Sequence, residues 1–118
     1  ASSSSTLSTF DCSTLTTSGG RISRITADTS TALTLTSTHH YVTVTNASAI
    51  TINLPAAASS TGQAYWIKNV GAGTATLDPN ASEQIRDAAT EASTLNVVTG
   101  QRIHLICDGT RWEVFSNN

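Results

Sequence analysis

The chain has 118 residues, enough for one domain with a single core but not for two. Its formal net charge is −2, and its one lysine and five arginines are scattered, which argues against nucleic-acid binding through clustered phosphate contacts. Hydrophobic residues are 38% and aromatic residues 5% of the chain, so we expect a subunit interface to supply burial that one copy lacks.

The first predicted element is an extended N-terminal arm, residues 1–30. Residues 1–9 are polar and of low complexity, and they bury too little to fold alone. The rest of the arm carries isolated apolar residues, a pattern that favours packing on a partner, and its arginines can pair with carboxylates. The arm residues expected to make this contact are Leu7, Phe10, Leu15, Arg21, Ile22, Arg24 and Ile25.

Period-two alternation begins near Thr31, and residues 31–118 are predicted to form a β-domain. Strands are expected at 33–36, 42–45, 50–54, 64–70, 74–77, 94–98, 102–107 and 111–115. The polar stretch at 86–94 is expected to be a loop. Short strands separated by Ser, Asn and Gly indicate antiparallel pairing. The predicted fold is therefore all-β, an antiparallel sandwich or barrel-like domain behind the arm.

Four turn and core features are predicted from single residues. Gly71 and Gly73 are expected to supply positive φ in a tight connection, and the Asn69 amide is expected to bond turn backbone groups. Asp108-Gly109 is expected to set a two-residue hairpin. Trp112 is expected to cover one end of the core, with its indole N–H near a polar partner.

A series of strand and turn motifs runs from residue 54 to residue 112. Its positions are Leu54-Pro55, Tyr65, Ile67, Lys68, Asn69, Gly71, Gly73, 76–80, Glu83, Ile85, Ile103, Leu105, 107–110 and Trp112. This series resembles a β-module that recurs in virion proteins of tailed bacteriophages. The resemblance covers roughly residues 31–116 and implies a structural role. The module is similar in small capsid decoration (cement) proteins, tail-fibre tips and tailspike ends.

Catalytic and metal-binding patterns are weak in this sequence. Serine and threonine are so frequent that a serine near a histidine carries no information. Asp78, Asn80 and Ser82 resemble the start of a calcium loop but lack its turn glycine and bidentate glutamate, so we expect turn-forming roles. His39 and His40 could meet at a threefold axis around a metal, although exposed turn residues are the favoured interpretation. We therefore predict no enzymatic activity, no cofactor and no metal.

The clearest interaction signal is Trp66. Alternation places Tyr65 and Ile67 on one face of their strand and Trp66 on the other, so Trp66 is exposed if the first face is core. An exposed tryptophan can stack on a sugar or anchor a subunit interface, and the low apolar content favours the interface. Ile106, opposite in phase to Leu105, indicates the same, so the predicted subunit-interface residues are Trp66 and Ile106.

No apolar run in the sequence approaches the length of a membrane span, and we expect no signal segment before the domain. Ala1 is a residue that commonly remains after the initiator methionine is removed, which favours a complete protein made in the host cytoplasm. Cys12 and Cys107 are expected to be free thiols, with a bridge between them as the alternative.

These observations together predict a homotrimeric capsid decoration protein on the exterior of the virion. Its expected partners are itself and the major capsid protein, with no nucleic acid and no membrane, and the arm residues named above are expected to form the capsid contact. The short chain favours this role over a tail-fibre or receptor-binding tip that recognises host glycans. A hydrolase or lyase acting on polysaccharide is a third possibility, but it would need clustered carboxylates that the sequence does not indicate.

Overall fold

The computed structural model describes residues 11–20, 23–28 and 30–118. These residues form eleven strands and one short 3-10 turn, Ala57–Ser59. The strands are β1 (Ile25–Asp28), β2 (Ala32–Thr34), β3 (Tyr41–Val44), β4 (Ile50–Asn53), β5 (Ala64–Asn69), β6 (Ala75–Asp78), β7 (Ile85–Asp87), β8 (Thr90–Ala92), β9 (Leu95–Val97), β10 (Arg102–Cys107) and β11 (Trp112–Asn117). No helix in the described ranges has the length and apolar character that a membrane span requires.

The strands form two mixed sheets, and the chain alternates between them. One sheet has seven strands in the order β1-β3-β5-β10-β11-β7-β8, and the other has four in the order β2-β4-β6-β9. From β1 to β6, each strand is followed by a strand of the other sheet, and neighbours within each sheet run parallel. The first half of the domain is therefore wound as stacked coils, in the manner of a solenoid.

The prediction of an all-β fold is confirmed, but the prediction of antiparallel pairing has to be corrected. Five pairings are parallel, including every one among β1 to β6. Only β10–β11, β10–β5, β6–β9 and β7–β8 are antiparallel. Period-two alternation reports which face of a strand is buried and carries no information on strand direction. The Asn, Ser and Gly breaks in this half are corners between sheets, not hairpin turns.

Inward side chains of both sheets form one hydrophobic core. The seven-stranded sheet contributes Val42, Val44, Tyr65, Ile67 and Leu105, among others, and all are at most 2% exposed. The four-stranded sheet adds its own alternate residues, including Ile50, Ile52, Ala75, Leu77 and Val97. Because the core residues recur at every second position, the intervening residues of β3, β5 and β10 must face outward.

Asn69 holds the corner after β5 through a fully buried amide. Its Nδ2 donates to the carbonyls of Gly73 and Val97, both at 2.8 Å, and its Oδ1 accepts from the Gly71 N–H at 3.0 Å. The predicted turn-bonding role of this amide is therefore confirmed. Gly71 itself is required for a different reason than predicted. A Cβ there would lie 2.1 Å from the Asn46 carbonyl oxygen, so the constraint is close backbone approach, not positive φ.

The C-terminal third contains two hairpins. Between β10 and β11 the connection is four residues long, with Gly109 at φ +95° and the Asp108 N–H bonded to the Arg111 carbonyl, so the predicted two-residue turn was too short. The predicted loop at 86–94 instead contains the end of β7 and all of β8, which pair antiparallel. Trp112 is fully buried as predicted, but its Nε1 has no hydrogen-bond partner among the described residues.

Candidate functional site

A row of aromatic side chains crosses the outer face of the seven-stranded sheet. Tyr41 of β3 lies opposite Trp66 of β5, and Trp66 lies opposite His104 of β10. Each follows or precedes a buried core residue, and this alternation turns all three to the outer face. Tyr41 is 39% and Trp66 40% exposed. Together with Phe115 of β11, Tyr41, Trp66 and His104 form the aromatic row.

Phe115 reaches this face through a β-bulge. His104 pairs with Ser116 and Leu105 pairs with Val114, so Phe115 is the extra residue between the two pairs. Its side chain is 71% exposed, and its ring centroid lies 6.5 Å from that of His104. The bulge therefore extends the row onto a fourth strand and leaves a large apolar side chain projecting from the sheet.

Three rings of the aromatic row, those of Tyr41, Trp66 and His104, stack on one another, whereas the Phe115 ring is tilted by 51° against His104. The centroids of Trp66 and His104 are 3.8 Å apart and their planes differ by 3°, while Tyr41 and Trp66 are 6.2 Å apart with planes 17° apart. Rings that stack along a row across a sheet stand on edge on that sheet. His104 covers one face of the Trp66 indole, and Tyr41 stands before the other. The row consequently presents ring edges, a geometry better suited to packing against protein side chains than to stacking on a flat sugar ring.

His104 is held as the neutral imidazole at neutral pH. Burial lowers its pKa below the ordinary histidine value, and the nearby His40 lowers it further. A neutral ring can pack flat on the indole without bringing a charge into an apolar row.

An apolar depression lies beside the row. Its volume is about 230 Å³, and the side chains that line it include Ile25, Tyr41, Thr43, Trp66, Lys68 and Arg102. Ile25 is 70% exposed at the edge strand β1, opposite Tyr41. Lys68 and Arg102 are opposite each other on β5 and β10, a like-charge pair that disfavours the isolated domain. Within the part of the chain that the structure describes, neither cation forms an ion pair.

The charges at the far end of the same sheet are paired. Arg86 of β7 binds Glu113 of β11 through two nitrogen atoms, and Arg111 Nε lies 2.9 Å from a carboxylate oxygen of Glu91. Ile106 lies between these pairs and the aromatic row, opposite Glu113, and is partly exposed. The outer face therefore has one apolar stripe, with unpaired cations toward β5 and paired charges toward β7.

The structure places both predicted interface residues, Trp66 and Ile106, on this outer face. Of the predicted arm residues, Leu15 is 61% exposed, Arg24 is exposed, and Ile25 belongs to β1. The others lie outside the described residues: Leu7, Phe10, Arg21 and Ile22. Thus Ile25 is the arm residue that joins the site, through its place in β1 and at the depression.

Three residues of the aromatic row were missed by the sequence reasoning. Tyr41 and His104 occupy the outward phase of predicted strands, so alternation alone could have identified them as exposed. Their alignment with Trp66 depends on strand order and register, which the sequence does not state. Phe115 depends on a bulge, and no residue pattern around it signals one.

The cysteines and histidines add no reactive cluster to this surface. Cys107 is buried and Cys12 exposed, both as free thiols, and burial raises the pKa of the Cys107 thiol. His39 Nδ1 accepts a hydrogen bond from the Thr36 N–H at 3.0 Å. The described residues contain no group of three or more His, Cys, Asp or Glu side chains placed to hold a metal.

Comparisons with known proteins found no matching family model, no matching curated protein and no matching solved structure.

Proposed function

We propose that this protein is a structural component of a phage virion, a homotrimeric capsid decoration protein that binds across neighbouring major capsid subunits on the outside of the head. The motifs between residues 54 and 112 that resemble phage virion modules support the assignment to a virion. The aromatic row is the observation on which the mode of action rests, because it offers a continuous apolar surface for self-association.

In this proposal, Trp66 and Ile106 lie at the interface between copies. Trp66 is 40% exposed in the single chain, and Phe115 and Ile25 are exposed by 71% and 70%. Large apolar residues aligned on one face are typical of an interface core, whereas the charged residues on the β7 side would form its rim. Such an interface would also supply the apolar burial that a single copy of this chain lacks.

The part of the predicted arm that precedes β1, residues 1–24, is proposed to contact the major capsid protein, whereas Ile25 of β1 belongs to the sheet. Its described part supports this, since Leu15 is 61% exposed and makes no contact with the hydrophobic core. Three arms on one trimer would bind together, and effective concentration would multiply a modest affinity per arm. A protein that binds only the assembled shell stabilises it by mass action, by about 2.7 kcal/mol per site at a concentration of 100 Kd.

The experiment uses phage heads that lack this protein and measures the temperature at which they release DNA. Adding the full chain should raise that temperature, and Leu15→Asp should reduce the gain. Ser13→Asp is the matched control, since it places the same charge at an exposed arm position without removing an apolar side chain. Intact protein that neither binds heads nor protects them would refute the decoration role.

A receptor-binding tip that recognises glycans is the second candidate. Lys68 and Arg102, which form no ion pair with any described residue, lie beside Tyr41 and favour this role. Two cations next to an aromatic ring suit a sugar that carries a carboxylate or sulfate. Titration with an acidic oligosaccharide distinguishes the two roles. Binding that is lost in Lys68→Ala while oligomerisation persists would favour the tip.

A further inference from the structure

The outer face of the seven-stranded sheet carries a projection and a hollow. The projection is Phe115, 71% exposed on β11. The hollow is the apolar depression, whose lining side chains belong to β1, β3, β5 and β10. Sheet order puts three strand spacings between β3 and β11, or about 14 Å at roughly 4.8 Å per strand. Both features sit on one continuous sheet, so Phe115 cannot enter the depression of its own chain.

We propose that Phe115 of one copy inserts into the apolar depression of the next copy, which makes the interface head-to-tail. This inference rests on the self-association put forward above and specifies which surfaces meet. Each copy then inserts its Phe115 into one neighbour and receives Phe115 of the other neighbour in its depression. Both ends of every aromatic row are therefore in contact with another copy.

The depression suits an aromatic side chain in size and chemistry. An engineered apolar cavity of about 150 Å³ holds a benzene molecule, and the depression measures about 230 Å³. Its apolar lining comes from Ile25, Tyr41 and Trp66, each at least 39% exposed in the single chain. A phenyl ring seated there would cover all three side chains and remove Phe115 itself from water.

Charge favours the same pairing of unlike ends. The depression end contributes the cations Lys68 and Arg102, which form no ion pair among the described residues. The end near Phe115 has carboxylates in excess, because Asp87, Glu91, Asp108 and Glu113 stand there against Arg86 and Arg111. Head-to-tail contact brings the unlike ends together, whereas a twofold contact that superposed the depressions would oppose four cations.

A head-to-tail interface has a defined symmetry. Contacts between two different patches close only as a ring, while a twofold dimer sets one patch against itself. Because Phe115 and the depression lie at opposite ends of a row that runs across the strands, the rows of successive copies would follow one another around an axis parallel to the strands. Three copies arranged in this way form the proposed trimer.

The test uses two full-length variants, each of which removes one half of the contact. Phe115→Asp removes the projection, and Thr43→Arg fills the depression with a long cation beside Lys68 and Arg102. Val98→Asp and Thr51→Arg are matched controls at exposed positions elsewhere. Sedimentation should give a trimer for the wild type and both controls. Each test variant alone should be monomeric, with affinity weakened roughly 30-fold or more, as for loss of a central interface anchor.

Mixing the two test variants is the decisive step. Phe115→Asp retains its depression and Thr43→Arg retains its projection, so an equimolar mixture should form a one-to-one heterodimer through the single intact contact. If the mixture stays monomeric, or if either single variant stays trimeric, the head-to-tail interface is wrong. Neither result would refute a wild-type trimer held by another interface. A monomeric wild type would instead refute the self-association itself. Circular dichroism identifies a misfolded variant, for which Phe115→Ser or Thr43→Lys is substituted with the same expected outcomes.

Discussion

Replacing Asn69 of β5 by alanine should destabilise the domain more than replacing any other polar side chain of the seven-stranded sheet by alanine. The amide makes three hydrogen bonds in a fully buried position, to the carbonyls of Gly73 and Val97 and from the Gly71 N–H. Each such bond contributes about 1 kcal/mol, and buried groups left unpaired cost roughly 1–3 kcal/mol more. The expected loss is about 3–5 kcal/mol, which for a domain of this size lowers Tm by roughly 15 °C or more.

The assay is urea and thermal unfolding followed by circular dichroism at one fixed protein concentration. Asn96→Ala is the matched control, because Asn96 is exposed and accepts a single hydrogen bond, from the Thr76 hydroxyl at 3.0 Å. That control should lose less than about 1 kcal/mol. If the free energies of unfolding of Asn69→Ala and Asn96→Ala differ by less than about 1 kcal/mol, the buried amide does not stabilise the corner after β5.

Three further predictions concern backbone approach and pH. Gly71→Ala should prevent folding or cost at least about 3 kcal/mol, since its Cβ would overlap the Asn46 carbonyl, whereas Gly20→Ala meets no atom within 4 Å and should be neutral; the yield of folded protein checks both. Burial lowers the pKa of His104, so the unfolded chain binds more protons than the folded chain near pH 6. The free energy of unfolding should therefore fall as the pH falls below about 6.5. In urea titrations, His104→Gln should weaken this dependence of stability on pH. Burial raises the pKa of Tyr65 from 10.0 to about 12, so the folded state retains the proton longer, and stability should decline between these pH values. Tyr65→Phe should make this decline shallower in alkaline unfolding, and the remainder comes from the buried Cys107 thiol, whose pKa is also raised.

The residue pattern predicted the burial of this fold much better than its connectivity. Tyr65 and Ile67 are buried and Trp66 exposed, as alternation requires. The Asn69 amide could also be anticipated, since an asparagine just before glycines commonly bonds turn backbone. In both cases the signal is local, because a side chain's phase and its nearest backbone groups are fixed within a few residues.

Strand direction and register are set by contacts distant in sequence, and there the local signals failed. Parallel and antiparallel strands share one alternation, so the strands from β2 to β6 were predicted with the wrong pairing. Residues 25–28 were predicted as part of the arm, although they form β1 at the edge of the sheet. Gly71 was interpreted through its own dihedral freedom, although the constraint comes from Asn46 on the preceding coil. The aromatic row depends on three strand registers and one bulge, none of which the sequence indicates. Only the exposure of Trp66 was predicted.

The winding of the first half has a consequence for how the chain reaches its native state. Strands that follow each other from β1 to β6 lie in different sheets, so no pair of them can form a hairpin as it leaves the ribosome. The local pairs are β7–β8 and β10–β11, near the C-terminus, and β5 obtains its second neighbour only when β10 is made. Folding should therefore begin at the C-terminal hairpins and proceed backward along the coils after synthesis, at a rate limited by the closure of long loops.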